Sequence, residues 1–355
     1  NRRLVPFVLN PIQADMIETS TFRDIFVKPG QVGATSVHVA DFYLDNITIN
    51  GTVSVIISYD DAIAKRLILK AKRFHTHLAR KIPSIPKLEH KGAEELTWEN
   101  KETGFYSVMY IFSSRSYTLG RGEAIHNLLL DEYAFWALGT HETVFSSAVQ
   151  RVPLKVGTKI RINSTANGED NPFCEMYRAA KEGTVIGQSV YKPHFYPWFI
   201  HPEYVMYADD AFCLDGDDTD PLPNLSSDEQ LLMRRLLLDY DEHTCMAKLR
   251  WRRYKKREMA SLRRSGATLF IFEQEFPEDD ETCFLVAGDQ AYSTDIITDK
   301  IHNCLPAPIQ KNIVAVDSKT KSTISATLDI WHDKEEGKGY VIGIDPGKGK
   351  ISESV

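Results

Sequence analysis

Short apolar runs alternate with longer amphipathic stretches along the first half of the chain. The apolar runs are bounded by Gly, Asp, Asn or Ser, which is typical of strands, and the amphipathic stretches between them are typical of helices. This alternation predicts an α/β domain in which helices cover a mostly parallel sheet. The predicted strands span residues 23–27, 53–58, 106–112, 125–130 and 159–163.

One of the covering helices is predicted over residues 61–78. Its apolar residues, among them Ile63, Leu67 and Ala71, recur at helical spacing, while lysine and arginine occupy the remaining face. The pattern therefore predicts a helix that packs against the sheet with one side and carries a basic opposite side.

A domain boundary is predicted near residue 222. Six aspartates crowd residues 209–220, and a helix-capping sequence follows at residues 226–229. Residues 228–265 are predicted to be helical and are strongly basic over residues 251–264, where a single acid, Glu258, faces seven lysines and arginines. A second type of architecture, mainly helical, is thus expected after the first domain.

Further strands are predicted over residues 267–272 and 339–344, the second ending at Asp345. The expected parts of the chain are residues 1–222, 223–330 and 331–355. Because the sequence begins with Asn1 and ends at Val355 soon after an apolar strand, we expect a fragment of a longer polypeptide.

Composition narrows the class of protein. With 43% hydrophobic and 26% charged residues, the chain matches globular proteins and differs from disordered, collagenous or membrane chains. A net charge of −7 excludes a uniformly basic nucleic-acid coat but leaves room for local basic grooves. Five separated cysteines without a C-x-x-C pair, and no long apolar run, predict a cytoplasmic protein without a structural metal.

Residues 28–36 form the first candidate functional segment, between a predicted strand and a helix predicted to begin at Val37. Small residues let backbone N–H groups at a helix N-terminus surround phosphate, while a hydroxyl reaches the metal. Gly30, Gly33 and Thr35 supply these features, but Ala34 stands where a lysine usually precedes the threonine. Lys28 must then supply the charge. The alternative interpretation is an ordinary strand-to-helix connection.

Two adjacent carboxylates, Asp131 and Glu132, follow the apolar residues 128–130. Ligands of open α/β sheets bind at the carboxyl ends of the strands. Asp131 can hold magnesium through its water shell, and Glu132 can polarise the water that attacks a γ-phosphate. The alternative is that both acids cap the following helix. Together with the glycine loop, the pair favours a nucleotide site.

Polar residues also end the predicted strand 159–163, where Ser164, Thr165 and Asn167 follow. Short hydroxyl and amide side chains beside a γ-phosphate can sense its presence and couple hydrolysis to motion. Asn167 and Gly168 are equally typical of a simple turn.

Taken in order, these motifs resemble the large terminase subunit of tailed bacteriophages, the motor that packages DNA into procapsids. Residues 11–13 resemble its adenine-recognising segment, residues 28–35 its deviant phosphate loop (Walker A), residues 128–132 its carboxylate strand (Walker B) and residues 164–168 its coupling motif. The resemblance implies a P-loop NTPase core of the ASCE/RecA-like type, a small helical linker subdomain and the first strand of an RNase H-like nuclease.

The resemblance also implies roles for individual residues. Glu132 would be the catalytic carboxylate, and Thr35 and Asp131 would hold Mg2+. The residues expected to bind ATP are Gln13, Lys28, Gly30, Gln31, Gly33, Ala34, Thr35 and Ser36. The residues expected to couple hydrolysis to motion are Ser164, Thr165 and Asn167.

Three further features carry alternatives. Arg121 stands where some terminases offer an arginine to the ATP of a neighbouring subunit, or it forms a surface salt bridge. Asp345 would be the first nuclease metal ligand, or part of a turn; because two-metal cleavage needs further carboxylates, this chain is not expected to cut DNA. The basic residues 251–264 contact DNA phosphates, bind adjacent acids or form a solvated helix face.

Partners follow from the resemblance as well. They are double-stranded DNA, a portal protein, a small terminase subunit and further copies of the chain in a ring, all in the host cytoplasm. Two other hypotheses remain: a helicase-like DNA translocase, and a nucleotide-independent DNA-binding or scaffold module whose motifs are vestigial.

Overall fold

The computed structural model describes residues 7–100, 103–116, 123–137, 139–208, 210, 224–264, 272–285, 309–316 and 323–330. The chain divides into two compact units, residues 1–290 and residues 291–355.

An eight-stranded sheet forms the centre of the first unit. Its strands are β1 (Arg23–Val27), β2 (Val53–Ser58), β3 (Lys87–Lys91), β4 (Glu95–Asn100), β5 (Phe105–Ser113), β6 (Asn127–Asp131), β7 (Lys159–Ser164) and β8 (Lys192–Phe195). They lie in the order β3-β4-β5-β2-β6-β7-β1-β8. Strand β4 pairs antiparallel with both β3 and β5, and the other neighbours pair parallel. The predicted α/β class with a mostly parallel sheet is confirmed.

All five strands predicted in this unit up to residue 163 are present, and β3, β4 and β8 were missed. The alternating pattern of β3 is weak because four of its five residues are exposed, and β8 has only four residues, one of them Pro193. The strand predicted from Ile125 begins two residues later, at Asn127, although Ile125 itself is buried.

Helices cover both faces of the sheet. They are α1 (Pro11–Glu18), α2 (Ala34–Thr48), α3 (Asp61–Lys81), α4 (Thr140–Val149) and α5 (Pro172–Val185). In β6, Leu128 and Leu130 belong to one buried cluster and Leu129 to another. Successive side chains of a strand point to opposite faces, so an unbroken apolar run is what a strand buried on both sides requires.

The remaining helices of the first unit are α6 (Ser227–Leu236), α7 (Glu242–Arg264) and α8 (Phe272–Glu275). The prediction of one helix over residues 228–265 is wrong, because helical structure is interrupted between α6 and α7. Asp241 accepts a hydrogen bond from the backbone N–H of Thr244, at 2.9 Å, and so caps the start of α7. The strand predicted over residues 267–272 lies mostly outside the described residues, and Phe272 begins α8 instead.

In the second unit the described residues form an antiparallel hairpin of β9 (Ile309–Val316) and β10 (Thr323–Ile330). The predicted strand over residues 339–344 and Asp345 lie outside the described residues. Within the described ranges, every helix is too short or too polar to cross a membrane.

Candidate functional site

The loop between β1 and α2 is the first part of the site. Helix α2 begins at Ala34, three residues before the predicted start at Val37. Gly33 stands at the N-cap with φ 77°, a left-handed conformation that favours glycine. A Cβ on Gly33 would come within 2.4 Å of Nε2 of Gln13. Any side chain at this position would therefore strain the backbone and displace Gln13.

Gln13 and Asn10 of the preceding segment hold this loop in place. Nε2 of Gln13 donates to the carbonyls of Val32, at 3.2 Å, and Gly33, at 3.1 Å. Asn10 Nδ2 donates to the same Val32 carbonyl at 3.0 Å. Oε1 of Gln13 accepts from the backbone N–H of Asn10. The side chain expected to recognise adenine is thus buried and bonded to the loop.

The loop and the paired acids meet at one edge of the sheet. Strand β7 lies between β1 and β6 and pairs parallel with both, so the carboxyl ends of all three strands are adjacent. Oγ1 of Thr35 donates to Oδ1 of Asp131 at 2.7 Å. Nζ of Lys28 lies 2.5 Å from Oε1 of Glu132. The structure therefore brings together the four residues on which the predicted nucleotide site depends.

Backbone strain is concentrated at this edge. Gln31 and Glu132 are the non-glycine residues with positive φ in the described part of the chain, at 58° and 50°. Such conformations cost roughly 1 to 3 kcal/mol each and cluster at functional sites. The 3-10 turn Tyr133–Phe135 follows Glu132, whose side chain makes no capping hydrogen bond to it. Helix capping therefore does not account for Glu132.

The three coupling residues surround Glu132 and the turn after it. The backbone N–H of Thr165 lies 3.4 Å from Oε2 of Glu132, and Oγ of Ser164 lies 3.5 Å from the same atom. Nδ2 of Asn167 donates to the carbonyl of Ala134 at 2.9 Å. The carbonyl of Ser164 accepts from the backbone N–H of Lys28. This segment thus touches both the loop and the acid.

Asp131 is a costly charge in this site. Its carboxyl group is buried, and burial together with the negative charge of Glu132 raises its pKa to about 7, against the opposing effects of Thr35 and Lys28. A buried carboxylate with a raised pKa favours any ligand that brings positive charge.

We expect Asp131→Asn to stabilise the protein in the absence of ligands. Since the folded protein binds this proton more tightly than the unfolded chain does, stability falls as pH rises from about 4 to about 7. The neutral amide avoids this loss, so the unfolding temperature of the variant should exceed that of the parent by a few degrees at pH 8.

Thermal unfolding at pH 8 and pH 5 checks this expectation. The difference between variant and parent should shrink at pH 5, where Asp131 is protonated. Asp239→Asn, at an exposed position after α6, is the matched control and should show no such difference. A variant less stable than the parent at pH 8 would mean that the Asp131 charge is not a cost.

The donor set fits a magnesium nucleotide. A hydroxyl oxygen and a carboxylate oxygen, from Thr35 and Asp131, are ligands that Mg2+ uses while keeping several waters. Asn163 pairs with Asp131 in the register of β6 and β7 and lies near enough to help lower the pKa of that carboxyl group. It is fully buried, yet its amide atoms have no partner at hydrogen-bond distance within the described residues. Unsatisfied buried polar atoms are costly and suggest a missing partner at this place.

Sequence reasoning missed three residues that reach the loop. The Gly30 peptide is held on both sides: its N–H donates to the carbonyl of Glu275 at 2.7 Å, and its carbonyl accepts from the hydroxyl of Tyr204 at 2.6 Å. Nζ of Lys70 donates to Oγ of Ser36 at 2.5 Å. Each lies far from the loop in sequence, and no local signal distinguishes it.

Glu275 adds a third acid to the site. Burial raises the pKa of its carboxyl group, Glu132 acting in the same direction and Lys28 against it. A Cβ on Gly30 would lie 2.9 Å from Oε2 of Glu275. Gly30 is therefore needed for the approach of α8 to the loop.

The basic residues after Trp251 bind acids of the same unit. Arg252 is buried and bonds to Glu278, at 2.6 Å, and to Asp228, at 3.1 Å. Arg253 pairs with Glu229 at 2.6 Å, and Lys256 with Glu273 at 2.8 Å. Of the three interpretations of this segment, binding to adjacent acids is the one observed for these side chains. Arg121 lies outside the described residues.

No family model matches the sequence, and no curated protein matches it. Several solved structures are similar. The large terminase of bacteriophage HK97 is 15% identical, with a TM-score of 0.47, over 74% of this chain and 50% of that chain. The large terminase ATPase domain of Thermus phage P74-26 is 13% identical, with a TM-score of 0.44, over 69% of this chain and 92% of that chain.

The large terminase of another phage, a thermophilic bacteriophage, is 15% identical, with a TM-score of 0.40, over 52% of this chain and 45% of that chain. This chain thus spans about half the length of that terminase and of the HK97 terminase. The family that the motifs resemble is also the family of these three structures.

Proposed function

We propose that this chain is the ATPase part of a DNA-packaging motor, which hydrolyses ATP to move double-stranded DNA into a procapsid. The observation that carries the ATPase proposal is the convergence of Lys28 with Glu132 and of Thr35 with Asp131 at one sheet edge. Lys28 and the N-terminus of α2 would bind the phosphates. Thr35 and Asp131 would hold Mg2+, which neutralises charge on the phosphates.

Glu132 is the proposed general base. Its carboxylate is partly exposed, with 23% of the side-chain surface accessible, while Lys28 opposite is 5% accessible. A base must reach solvent-derived water yet remain fixed, and Thr165 and Ser164 hold the second oxygen of Glu132. Anionic phosphate competes with Glu132 for Lys28, so substrate binding frees the carboxylate to orient the attacking water. Ser164 and Thr165 would move with it.

Titration with MgATP, followed by measurement of phosphate release with and without duplex DNA, tests this function. The proposal requires saturable MgATP binding and hydrolysis that DNA stimulates. Absence of nucleotide binding favours a scaffold module, and unwinding of a duplex favours a helicase-like translocase. Packaging partners are the portal, the small terminase subunit and further copies in a ring, with Arg121 acting between copies and the host cytoplasm as the location.

Helix α3 offers a surface for DNA. Arg66, Arg73 and Arg80 recur every seven residues and therefore share one face of the helix. All three are exposed, and within the described part of the chain none forms an ion pair. Duplex DNA carries closely spaced phosphates, which a row of exposed arginines complements.

Replacing Arg66, Arg73 and Arg80 together by alanine should lower DNA stimulation of hydrolysis and reduce its salt dependence, with basal hydrolysis retained. Phosphate release at several salt concentrations measures both effects. The matched control removes three other exposed charges, Lys65, Lys87 and Lys155. Equal stimulation of the arginine variant and the control would assign DNA contact to another surface.

A further inference from the structure

The phosphate loop lacks a cation at Ala34, and the structure brings one to it from another helix. Lys70 lies on α3, and its Nζ donates to Oγ of Ser36 at 2.5 Å. Ser36 is the third residue of α2, directly after Thr35. The ammonium group of Lys70 is therefore adjacent to the segment at which phosphate would bind.

Lys70 is half-buried and its charge is not neutralised by an acid at contact distance within the described residues. Burial lowers the pKa of its amino group, and the charge of Asp131 acts in the opposite direction. An ammonium group has three donors, and Lys70 uses one of them, toward Ser36. Two donors and most of the positive charge thus remain for an anion at this place.

The geometry of the two lysines is complementary. Lys28 approaches Glu132, and Lys70 approaches Ser36, with the Thr35–Asp131 contact in the same loop-and-acid edge. A triphosphate carries several negative charges, so a single lysine paired with a carboxylate leaves much of that charge unmatched. A lysine on a neighbouring helix can occupy the role that the loop sequence leaves open.

We propose that Lys70 is a phosphate-binding residue of this site, supplying from α3 the positive charge that Ala34 does not. The inference rests on the proposed function, since it assigns a residue to the same nucleotide site. It distinguishes Lys70 from the other basic residues of α3, because Arg66, Arg73 and Arg80 lie on the exposed face.

Binding of ATP, ADP and AMP to Lys70→Ala tests the proposal, measured calorimetrically with Mg2+ and without DNA. The loss of one charge-assisted contact should weaken ATP binding roughly ten- to a hundredfold. The loss should diminish from ATP to ADP and be smallest for AMP. Lys70→Arg should retain most of the affinity, and Lys65→Ala, exposed on the same helix, should bind like the parent.

A purely structural role would lower the unfolding temperature and weaken all three nucleotides equally, and that result would overturn the proposal. Parental ATP affinity in Lys70→Ala would overturn it as well, while leaving the proposed ATPase function intact. Failure of the parent protein itself to bind MgATP would overturn both. Competition by inorganic tripolyphosphate, strong in the parent and weak in Lys70→Ala, would support a phosphate contact independently of adenine.

Discussion

Glu132→Gln is expected to abolish ATP turnover while nucleotide binding persists. The amide has the shape of the carboxylate and can keep the contacts with Ser164 and Thr165. It cannot accept a proton from the attacking water, and general-base catalysis contributes roughly a hundred- to ten-thousandfold to rate. Because the substitution also removes a negative charge that competes for Lys28, the affinity for ATP should be equal to or higher than that of the parent.

Phosphate release and calorimetric titration of the same preparation separate the two effects. Glu142→Gln, at an exposed position of α4, is the matched control and should hydrolyse like the parent. Hydrolysis by Glu132→Gln at the parental rate would remove Glu132 from the catalytic role. Loss of both binding and turnover would instead show that Glu132 is needed to shape the site.

Lys28→Ala is expected to weaken ATP binding roughly ten- to a hundredfold, because one charge-assisted hydrogen bond to phosphate is lost. Lys28 is also the cation that lies against Glu132, with Asp131 and Glu275 close enough to respond to its charge. Without Lys28 these three acids repel one another, so the nucleotide-free variant should also unfold at a lower temperature.

Combining Lys28→Ala with Glu132→Gln tests the origin of that stability loss. The double variant should regain part of the unfolding temperature, because the unpaired carboxylate is gone, but none of the ATP affinity. Lys155→Ala, exposed and distant in sequence, is the control. Unchanged ATP affinity of Lys28→Ala would contradict the phosphate loop with an early lysine.

The central strands could be predicted because each is buried on both sides. A strand such as β6, with Leu128, Leu129 and Leu130 in succession, must lie between two layers of helices, and its apolar run ends where Asp131 reaches the sheet edge. Local spacing also indicated the glycine loop. Both signals are short-range, which is why composition and periodicity are sufficient to find them.

Edge strands and helix breaks were not predictable in the same way. Strand β3 is mostly exposed, so its pattern differs little from that of a loop. The break between α6 and α7 depends on the hydrogen bond from Thr244 to Asp241, which competes with continued helix at a position where the helical propensity of the sequence is uninterrupted.

The sequence by itself determined the α/β class, the order of the loop and the acids, and the residue types that could bind a magnesium nucleotide. The tertiary structure decided which charges meet. Lys28 opposite Glu132, Lys70 on Ser36, and Glu275 with Tyr204 on Gly30 all join residues distant in the chain. Electrostatic energies depend on separation and burial in space, and neither quantity is encoded in local spacing.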